Sequence, residues 1–386
     1  MKILLLNDGQ KFNNWGIQST TISLKNILRE YVDVNAQFSY LPHEIFMKKY
    51  RFDPSLFGKK IFNRNSRLRK YLGIPIKFPN YADEFEQFYE YWINNKLNKI
   101  ENQVYNKIID ADLIVFNAEG SVYRANKSAA LGLFLLALAS KLGKKTLFCN
   151  GSFSLTNQDN ILESYAKKAM QEIDYVFIRE PVSFKTFCKH INHSDVEMVP
   201  DAVFIDNKTK NIEPLKQQFI LSSSMLPLHS YRFTPHPIET LASEIKSKFG
   251  LDPIIAAIDT EDKYLQNIAK KNNWKLLDGS CSPLDVRNEI AKSQFILSGR
   301  YHHLIYGLID GTPIIPFDTT SQKIKGLLEL INSNQTLFDP LNILQEKPML
   351  INNVERVLKN RSAISNEYNL KLNEIQKSFK KYSKIG

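Results

Sequence analysis

Short apolar runs recur along this chain, and each is followed by a polar or glycine break and then by a stretch with helical periodicity. Strands that are apolar along their whole length and alternate with helices are typical of a parallel sheet covered on both faces. The runs fall into two sets, which predicts two doubly wound α/β domains. The predicted strands are 2–7, 112–117, 145–150, 175–179 and 196–201 in the first set, and 218–223, 253–258, 274–278, 294–298 and 313–317 in the second.

The length of 386 residues fits two such domains. The polar segment 206–218 separates the two sets, so we place an N-terminal Rossmann-like domain at 1–210 and a C-terminal one at 211–386. A basic and then helical insertion at about 44–107 could be an acceptor-binding flap or a helical decoration of the sheet. The helical tail of the second domain could be a packing element or a basic contact with a membrane surface.

The composition favours anionic partners. The chain has 51 Lys and Arg against 40 Asp and Glu, a formal charge of +11, which suits phosphate-bearing substrates or acidic lipid headgroups. Nucleic acid is not expected, because no helix-turn-helix, zinc-finger or RNP pattern occurs. The three cysteines lie far apart, so neither a disulfide framework nor a metal site is expected, and no other cofactor is indicated.

The N-terminal apolar run is too short for a signal peptide. The longest apolar run, 129–139, reaches about half the length that a membrane span needs. We therefore expect a cytoplasmic protein, which could touch the inner face of a membrane.

Polar residues collect where the predicted strands end. Ligands of open parallel sheets bind beyond the carboxyl ends of the strands, so two sheet edges that faced each other would line one cleft. The residues at these ends include Asn117, Glu119, Asn150, Ser152, Arg179 and Asp201 in the first domain, and Ser298, Gly299, Arg300 and His302 in the second. We assign donor binding to Ser298, Gly299 and Arg300.

The stretch SGRYHHLIYGLIDG, which begins at Ser298, is the most informative of these ends. Ser298 and Gly299 predict a tight turn, and the following residues predict a short helix that ends at Gly311. Arg300 and His302 then lie at a helix N-terminus, which favours an anion. Arginine offers a planar fork for carboxylate or phosphate, and histidine can move a proton near neutral pH. We expect His303 to pack against the turn.

Arg179 has the same position in the first domain, directly before a predicted helix whose first turn contains Ser183. We predict that both residues bind the donor. The alternative for Arg179 is a structural ion pair with Glu180 or Glu172.

Three further residues each allow a functional and a structural interpretation. Lys323, after the last strand, could hold a phosphate or be a solvated lysine. Asp201 could be a general base or a helix cap. Glu119 could be an acid or base, or a charge that the helix dipole favours. We assign acceptor binding to Asn14, Asn117 and Asn150.

Several stretches together resemble the polysaccharide pyruvyl transferase family. They are NNWGIQSTTISLKNIL, ADLIVFNAEGS, IREPVS, VPDAVF and above all SGRYHHLIYGLIDGTPIIPFDTTSQKIKGL, with its Arg-x-His core, Gly-Thr-Pro and downstream lysine. The resemblance implies two Rossmann-like domains in a GT-B-like arrangement. It also implies transfer of a pyruvyl group from phosphoenolpyruvate onto two sugar hydroxyls as a ketal, with Arg179, Arg300 and His302 acting on the donor.

One departure from the family pattern bears on the substrate. Many members have consecutive glycines where this chain has Asn117-Ala118-Glu119-Gly120. The acceptor implied by the resemblance is a cell-surface glycan or its lipid-linked precursor. A glycosyltransferase using a nucleotide-activated sugar is the alternative, since related folds serve both chemistries. For pyruvyl transfer we expect His302 to be the acid and Asp201 or Glu119 the base.

Overall fold

The structure is a computed structural model and describes residues 1–12, 14–42, 76–119, 122–123, 127–154, 160–208, 215–224, 235–258 and 262–386. The described strands of the first half are β1 (Lys2–Asp8), β2 (Gln37–Pro42), β3 (Leu113–Asn117), β4 (Val122–Tyr123), β5 (Lys145–Gly151), β6 (Phe153–Ser154), β7 (Tyr175–Ile178) and β8 (Val196–Met198). Six of them form a parallel sheet with the order β2-β1-β3-β5-β7-β8, and β4 pairs with β6.

The second half contains a separate parallel sheet. Its described strands are β9 (Gln218–Ser222), β10 (Asp252–Ala256), β11 (Lys275–Leu277), β12 (Ile296–Ser298) and β13 (Ile314–Pro316), in the order β11-β10-β9-β12-β13. The chain changes direction across the sheet between β1 and β3 in the first half and between β9 and β12 in the second. Such switch points are where open α/β sheets bind ligands.

Helices cover both sheets. Those of the first half are α1 (Trp15–Tyr31), α2 (Phe85–Asn94), α3 (Lys99–Asp110), α4 (Lys127–Lys141), α5 (Asn160–Met170) and α6 (Pro181–His190). Those of the second half are α7 (His236–Phe249), α8 (Lys263–Asn272), α9 (Pro283–Lys292), α10 (Tyr301–Asp310), α11 (Lys323–Leu330), α12 (Ile343–Lys359) and α13 (Arg361–Lys377). None of the helices in the described ranges is long and apolar enough to cross a membrane.

All ten strands predicted from the apolar runs are confirmed within a few residues. The prediction missed the two-residue strands β4 and β6 and also β2, an edge strand whose Tyr40 is 44% exposed. An edge strand buries only part of its surface, so its sequence carries no continuous apolar run. The predicted turn and helix at the end of β12 are also confirmed. Helix α10 ends at Gly311, which has a φ of 74°.

Helix α1 joins the two halves. It begins at the capping residue Asn14, and Trp15 donates a hydrogen bond from Nε1 to the carbonyl of Cys281, at 2.8 Å. One turn later, the hydroxyl of Ser19 lies 2.5 Å from that of Tyr306 on α10. These buried contacts bring α1 of the first half against the start of α9 and α10 of the second.

The end of the chain returns to the first sheet. Residues Ser378–Lys384 form a 3₁₀ segment, in which the Tyr382 ring packs edge-on against Phe177 of β7, with 4.9 Å between centroids. Both rings are fully buried. The expected second domain, 211–386, therefore has its last turn in the core of the first, and the expected boundary near 210 falls in 209–214, outside the described residues.

The insertion predicted at about 44–107 is described only from residue 76 onward. There, α2 packs onto α4 through Phe85, Tyr89 and Trp92, which surround Phe134 and join the hydrophobic cluster of the sheet. This part decorates the sheet and belongs to its core. The basic half of the insertion, up to residue 75, lies outside the described residues.

Candidate active site

Asp201 connects the two halves of the molecule at the carboxyl edges of the sheets. It follows β8, and its carboxylate receives a hydrogen bond from Arg179 Nη1 at 2.9 Å. The same oxygen, Oδ2, lies 3.5 Å from Nε2 of His302 in the first turn of α10. Asp201 is fully buried and Arg179 nearly so. A buried carboxylate thus pairs with a cation of one half and a histidine of the other.

Arg179 is held by two partners. Besides the bond to Asp201, its Nε donates to the hydroxyl of Ser152 at 2.7 Å. The ring of Tyr301 lies beneath the guanidinium, with 4.2 Å from Cζ to the ring centroid. Nη2 has no hydrogen-bond partner among the described residues. The predicted pair with Glu180 or Glu172 does not form, because the guanidinium turns toward Asp201.

His302 lies against α1. Its Nε2 is 2.9 Å from the hydroxyl of Thr20, and its side chain is 14% exposed. A Cβ added at Gly16 would lie 2.2 Å from His302 Nδ1. The ring can therefore occupy this position only because residue 16 has no side chain.

The charges of this cluster are set by burial and by neighbouring ions. Burial works against ionisation of Asp201, but His302 and Arg179 lower its pKa to about 2. Because Arg179 is a permanent cation, Asp201 stays ionised even when His302 is neutral. Burial lowers the pKa of His302 despite the opposing charge of Asp201, while Arg179 and Lys323 lower it further. His302 is thus neutral at pH 7.

The pKa of Glu119 is shifted upward, opposite to that of Asp201. This residue follows β3 in a left-handed backbone conformation, with a φ of 44°. Although part of its surface is exposed, the protein atoms that crowd its carboxyl desolvate it and raise its pKa to about 8, against the opposing charges of Arg179 and Lys323. Glu119 is therefore protonated at neutral pH. The site combines a carboxylic acid, a neutral imidazole and an ionised carboxylate, and such divergent pKa values are frequent in active sites.

Lys323 is the first residue of α11, at the carboxyl edge of the second sheet. Its charge influences both Glu119 and His302, so it belongs to the same electrostatic environment. Two positions that the sequence suggested separately, Glu119 in the first half and Lys323 in the second, are therefore close enough for their charges to interact.

A profile of the polysaccharide pyruvyl transferase family matches residues 20–321. The match covers well over half of the chain and contains Thr20, Arg179, Asp201 and His302. The chain belongs to this family. The resemblance seen in the sequence motifs is thereby confirmed, and the protein is a transferase. No curated protein sequence matches it significantly.

Two solved structures with a similar fold were determined with a nucleotide sugar bound. The UDP-GlcNAc 2-epimerase of Methanocaldococcus jannaschii, in complex with UDP-GlcNAc and UDP, is 13% identical over 93% of each chain, with a TM-score of 0.55. The Neisseria meningitidis enzyme bound to UDP-GlcNAc is 12% identical, covering 98% of this chain and 100% of its own, with a TM-score of 0.54. The transferase therefore has two Rossmann-like domains in a GT-B-like arrangement.

Arg300 of the transferase is anchored within its own domain. It caps α10 in an extended conformation, its Nη2 donates to the buried Asp262 at 2.5 Å, and its Nε donates to Ser223 at 2.9 Å. Gly299 is required for this turn, because a Cβ there would lie 2.6 Å from Ser224. The hydroxyl of Ser298 accepts from the Arg300 N–H at 2.9 Å. Donor binding by Ser298, Gly299 and Arg300 stays a prediction.

The residues assigned to the acceptor have structural partners in the fold, and acceptor binding by Asn14, Asn117 and Asn150 stays a prediction. Asn14 caps α1 by accepting from the N–H groups of Gly16 and Ile17. Asn117 and Asn150 are fully buried, and Asn150 Nδ2 donates to Asn117 Oδ1 at 3.0 Å. The two amides brace neighbouring strand ends below the cleft. Their placement gives no support to acceptor binding, because a group that contacts an acceptor has to reach the surface.

Ser183 also has a structural position. It lies in the first turn of α6, as predicted, but its hydroxyl and N–H both contact the capping residue Glu180. Ser183 is buried and supports the helix start, and donor binding by Ser183 stays a prediction. His303 packs as expected. It lies against the ring of Trp15, with 5.5 Å between centroids, and burial lowers its pKa to about 3.

Three side chains that shape the site were missed in the sequence. Thr20, Tyr301 and Asp262 contact His302, Arg179 or Arg300. Tyr301 stands inside the Arg-x-His core and could have been found there. Thr20 and Asp262 come from distant segments and carry no local signal. Ser152, which contacts Arg179, lies just after the end of β5, as expected from the sequence.

Proposed function

We propose that this transferase moves a pyruvyl group from phosphoenolpyruvate onto two hydroxyls of a sugar, forming a ketal on a cell-surface polysaccharide or its lipid-linked precursor. The observation that carries the proposal is the shared contact of Asp201 with Arg179 and His302. This contact brings together the cation Arg179 and two groups that can carry a proton, Asp201 and His302. Glu119 and Lys323 interact electrostatically with the same cluster.

The donor is a small anion with a carboxylate and a phosphate, and cations and helix N-termini recognise such groups. Nη2 of Arg179 is without a protein partner among the described residues, and Lys323 opens α11 nearby. The first-turn N–H groups of α10 add a partial positive charge, since no side chain caps this helix. These groups support binding of both ends of the donor.

Pyruvyl transfer also needs two proton transfers, because the methylene carbon gains a proton while the sugar hydroxyls lose theirs. The pKa of Glu119 is raised to about 8 and that of His302 is lowered. One group is therefore available as an acid and the other as a base at neutral pH. The expected cytoplasmic location agrees with a phosphorylated donor, which is retained inside cells.

A nucleotide-sugar donor is the second candidate. It is favoured by the departure at Asn117-Ala118-Glu119 from the consecutive glycines of many family members. Glu119 would then be the base for an inverting attack, and its raised pKa would require alkaline conditions or a cation brought by the donor. The neutral state of Glu119 makes it a better acid than base, so we place this candidate second.

The test compares donors on the purified full chain. Thermal shift is measured with phosphoenolpyruvate and with UDP-, GDP- and CMP-linked sugars, each well above a plausible dissociation constant. A ligand at about 100 times its Kd adds roughly 2.7 kcal/mol of stability, which is readily measured. A shift with phosphoenolpyruvate alone supports pyruvyl transfer. A shift with one nucleotide sugar alone overturns it in favour of glycosyl transfer.

A further inference from the structure

The hydroxyl of Thr20 determines how His302 carries its proton. A hydroxyl has one hydrogen, and Thr20 Oγ1 donates it to the carbonyl of Gly16, one turn earlier on α1, at 2.8 Å. The same oxygen lies 2.9 Å from His302 Nε2. Since Thr20 has no second hydrogen, it can meet the ring only as an acceptor, and Nε2 must be the donor.

Asp201 acts in the same direction. Its Oδ2 lies 3.5 Å from the same Nε2, and an ionised carboxylate only accepts hydrogen bonds. Both polar neighbours of Nε2 are thus acceptors. Because burial lowers the pKa of His302, the ring carries a single hydrogen at neutral pH, and its lone pair is on Nδ1.

Nδ1 is the nitrogen left for a ligand. No described residue makes a hydrogen bond to it, and the space beside it, where a Cβ of residue 16 would lie at 2.2 Å, stays open because Gly16 has no side chain. The His302 side chain keeps 14% of its surface exposed. His303, by contrast, is fully buried with both ring nitrogens unpartnered among the described residues, and it has no such opening.

We infer that Thr20 is a positioning residue that fixes His302 as the Nε2–H tautomer, so that His302 works as a base through Nδ1 while Glu119 supplies the acid. The tautomer rests on the acceptors around Nε2 and on the neutral state of the ring, and it does not depend on the reaction. The chemical roles rest on the proposed function, and they reverse the roles expected from the sequence, in which His302 was the acid and Glu119 or Asp201 the base.

The roles balance over the reaction. As the first sugar oxygen bonds to C2 of the enol, its proton passes to Nδ1, and the electron pair of the C2–C3 double bond takes a proton from Glu119, which converts the methylene into a methyl. The resulting imidazolium is stabilised by Asp201. The second sugar oxygen then displaces phosphate at C2. Its proton returns to Glu119, and the imidazolium proton leaves with the phosphate.

The tautomer is measured by ¹⁵N NMR of the full chain labelled at histidine, near pH 7.5 and without any substrate. The ¹⁵N signals of His302 are assigned as those that disappear in the His302→Gln variant. The expected spectrum has hydrogen on Nε2 and a free lone pair on Nδ1. A wild-type ring protonated at Nδ1 overturns the inference. Because no donor is needed, this result is independent of the proposed function.

Matched variants test Thr20. Thr20→Val removes the acceptor and keeps the shape. It is expected to lose the single-tautomer spectrum, because Asp201, at 3.5 Å from Nε2, is too far away to hold the hydrogen there alone. It should also lower kcat about 100-fold with KM nearly unchanged, whereas Thr20→Ser should keep the wild-type spectrum and the wild-type kcat. Thr186→Val is the control, because Thr186 makes the same hydroxyl-to-carbonyl bond on α6, to Val182 at 2.9 Å. Wild-type spectrum and turnover in Thr20→Val overturn the inference. If Thr20→Val alters the spectrum as expected but the wild-type enzyme transfers no pyruvyl group, the proposed function is overturned. The inference about the tautomer is then still supported.

Discussion

Asp201 and His302 meet across the two halves of the molecule, with 3.5 Å between Oδ2 and Nε2, although 100 residues separate them in the chain. The carboxylate also pairs with the buried Arg179 at 2.9 Å. A single side chain therefore fixes the charge state of the cluster and the relative position of its two parts. This relationship leads to the first prediction.

Asp201→Asn should destabilise the protein by about 3–5 kcal/mol, because it leaves the buried Arg179 without its anion. Urea unfolding at pH 7 measures the loss. The control is Asp195→Asn, which removes an exposed pair with Lys384 and should cost less than about 1 kcal/mol. Equal, small losses in both variants would show that the Asp201 pair is not buried as described.

Glu119→Gln should remove a pH dependence of stability. In the wild type the pKa of Glu119 rises from 4.5 to about 8 on folding, so the folded state binds more protons between these values. Stability is then complete below about pH 4.5 and is lost as the pH rises toward 8, by up to about 1.4 kcal/mol for each pH unit. The amide does not titrate, so the variant should lose less stability over this range.

Urea unfolding at pH 5 and pH 8 measures this difference. Glu86→Gln is the control, because Glu86 is an exposed partner of Lys168 with a lowered pKa. It should leave the loss of stability between pH 5 and pH 8 as in the wild type. An identical loss in Glu119→Gln would contradict the raised pKa.

Gly16→Ala should displace the ring of His302, since its Cβ would lie 2.2 Å from Nδ1. A displacement of about 1 Å at a reacting group can cost about 100-fold in turnover. Gly250→Ala is the control. Gly250 has a φ of 68° in open space, so the change costs about 1 kcal/mol of stability and leaves turnover intact. Steady-state kinetics and urea unfolding separate the two effects, and normal turnover in Gly16→Ala would contradict the described contact.

Tyr301→Phe should stabilise the protein by about 1 kcal/mol. The Tyr301 hydroxyl is buried and has no hydrogen-bond partner among the described residues, so its removal relieves a desolvation cost. Tyr306→Phe is the matched control and should lower the free energy of unfolding. The Tyr306 hydroxyl contacts Ser19 and donates to the Trp15 carbonyl at 3.2 Å, so its removal breaks hydrogen bonds. A loss of stability in Tyr301→Phe would mean that its hydroxyl has a partner.

The sequence determined the α/β class, ten of the strands and the turn at Gly299. Parallel strands covered on both faces must be apolar throughout, and a helix start requires particular cap residues, so both leave local patterns. The same reasoning located Arg179, Asp201, Arg300 and His302, because ligand sites of such sheets follow the strand ends. The family itself was readable from the motif around His302.

Only the tertiary structure determined which contacts the polar residues at the strand ends and helix starts make. The sequence placed Asn117, Asn150 and Ser183 at strand ends and helix starts, but the fold engages them with one another or with backbone groups. Thr20 carries no signal in its own segment. Its role depends on the packing of α1 beside α10. This packing brings the Thr20 hydroxyl, whose hydrogen is donated to Gly16, within 2.9 Å of His302, 282 residues further along the chain. Burial, partners and hence pKa values depend on such long-range contacts, and a local pattern cannot encode them.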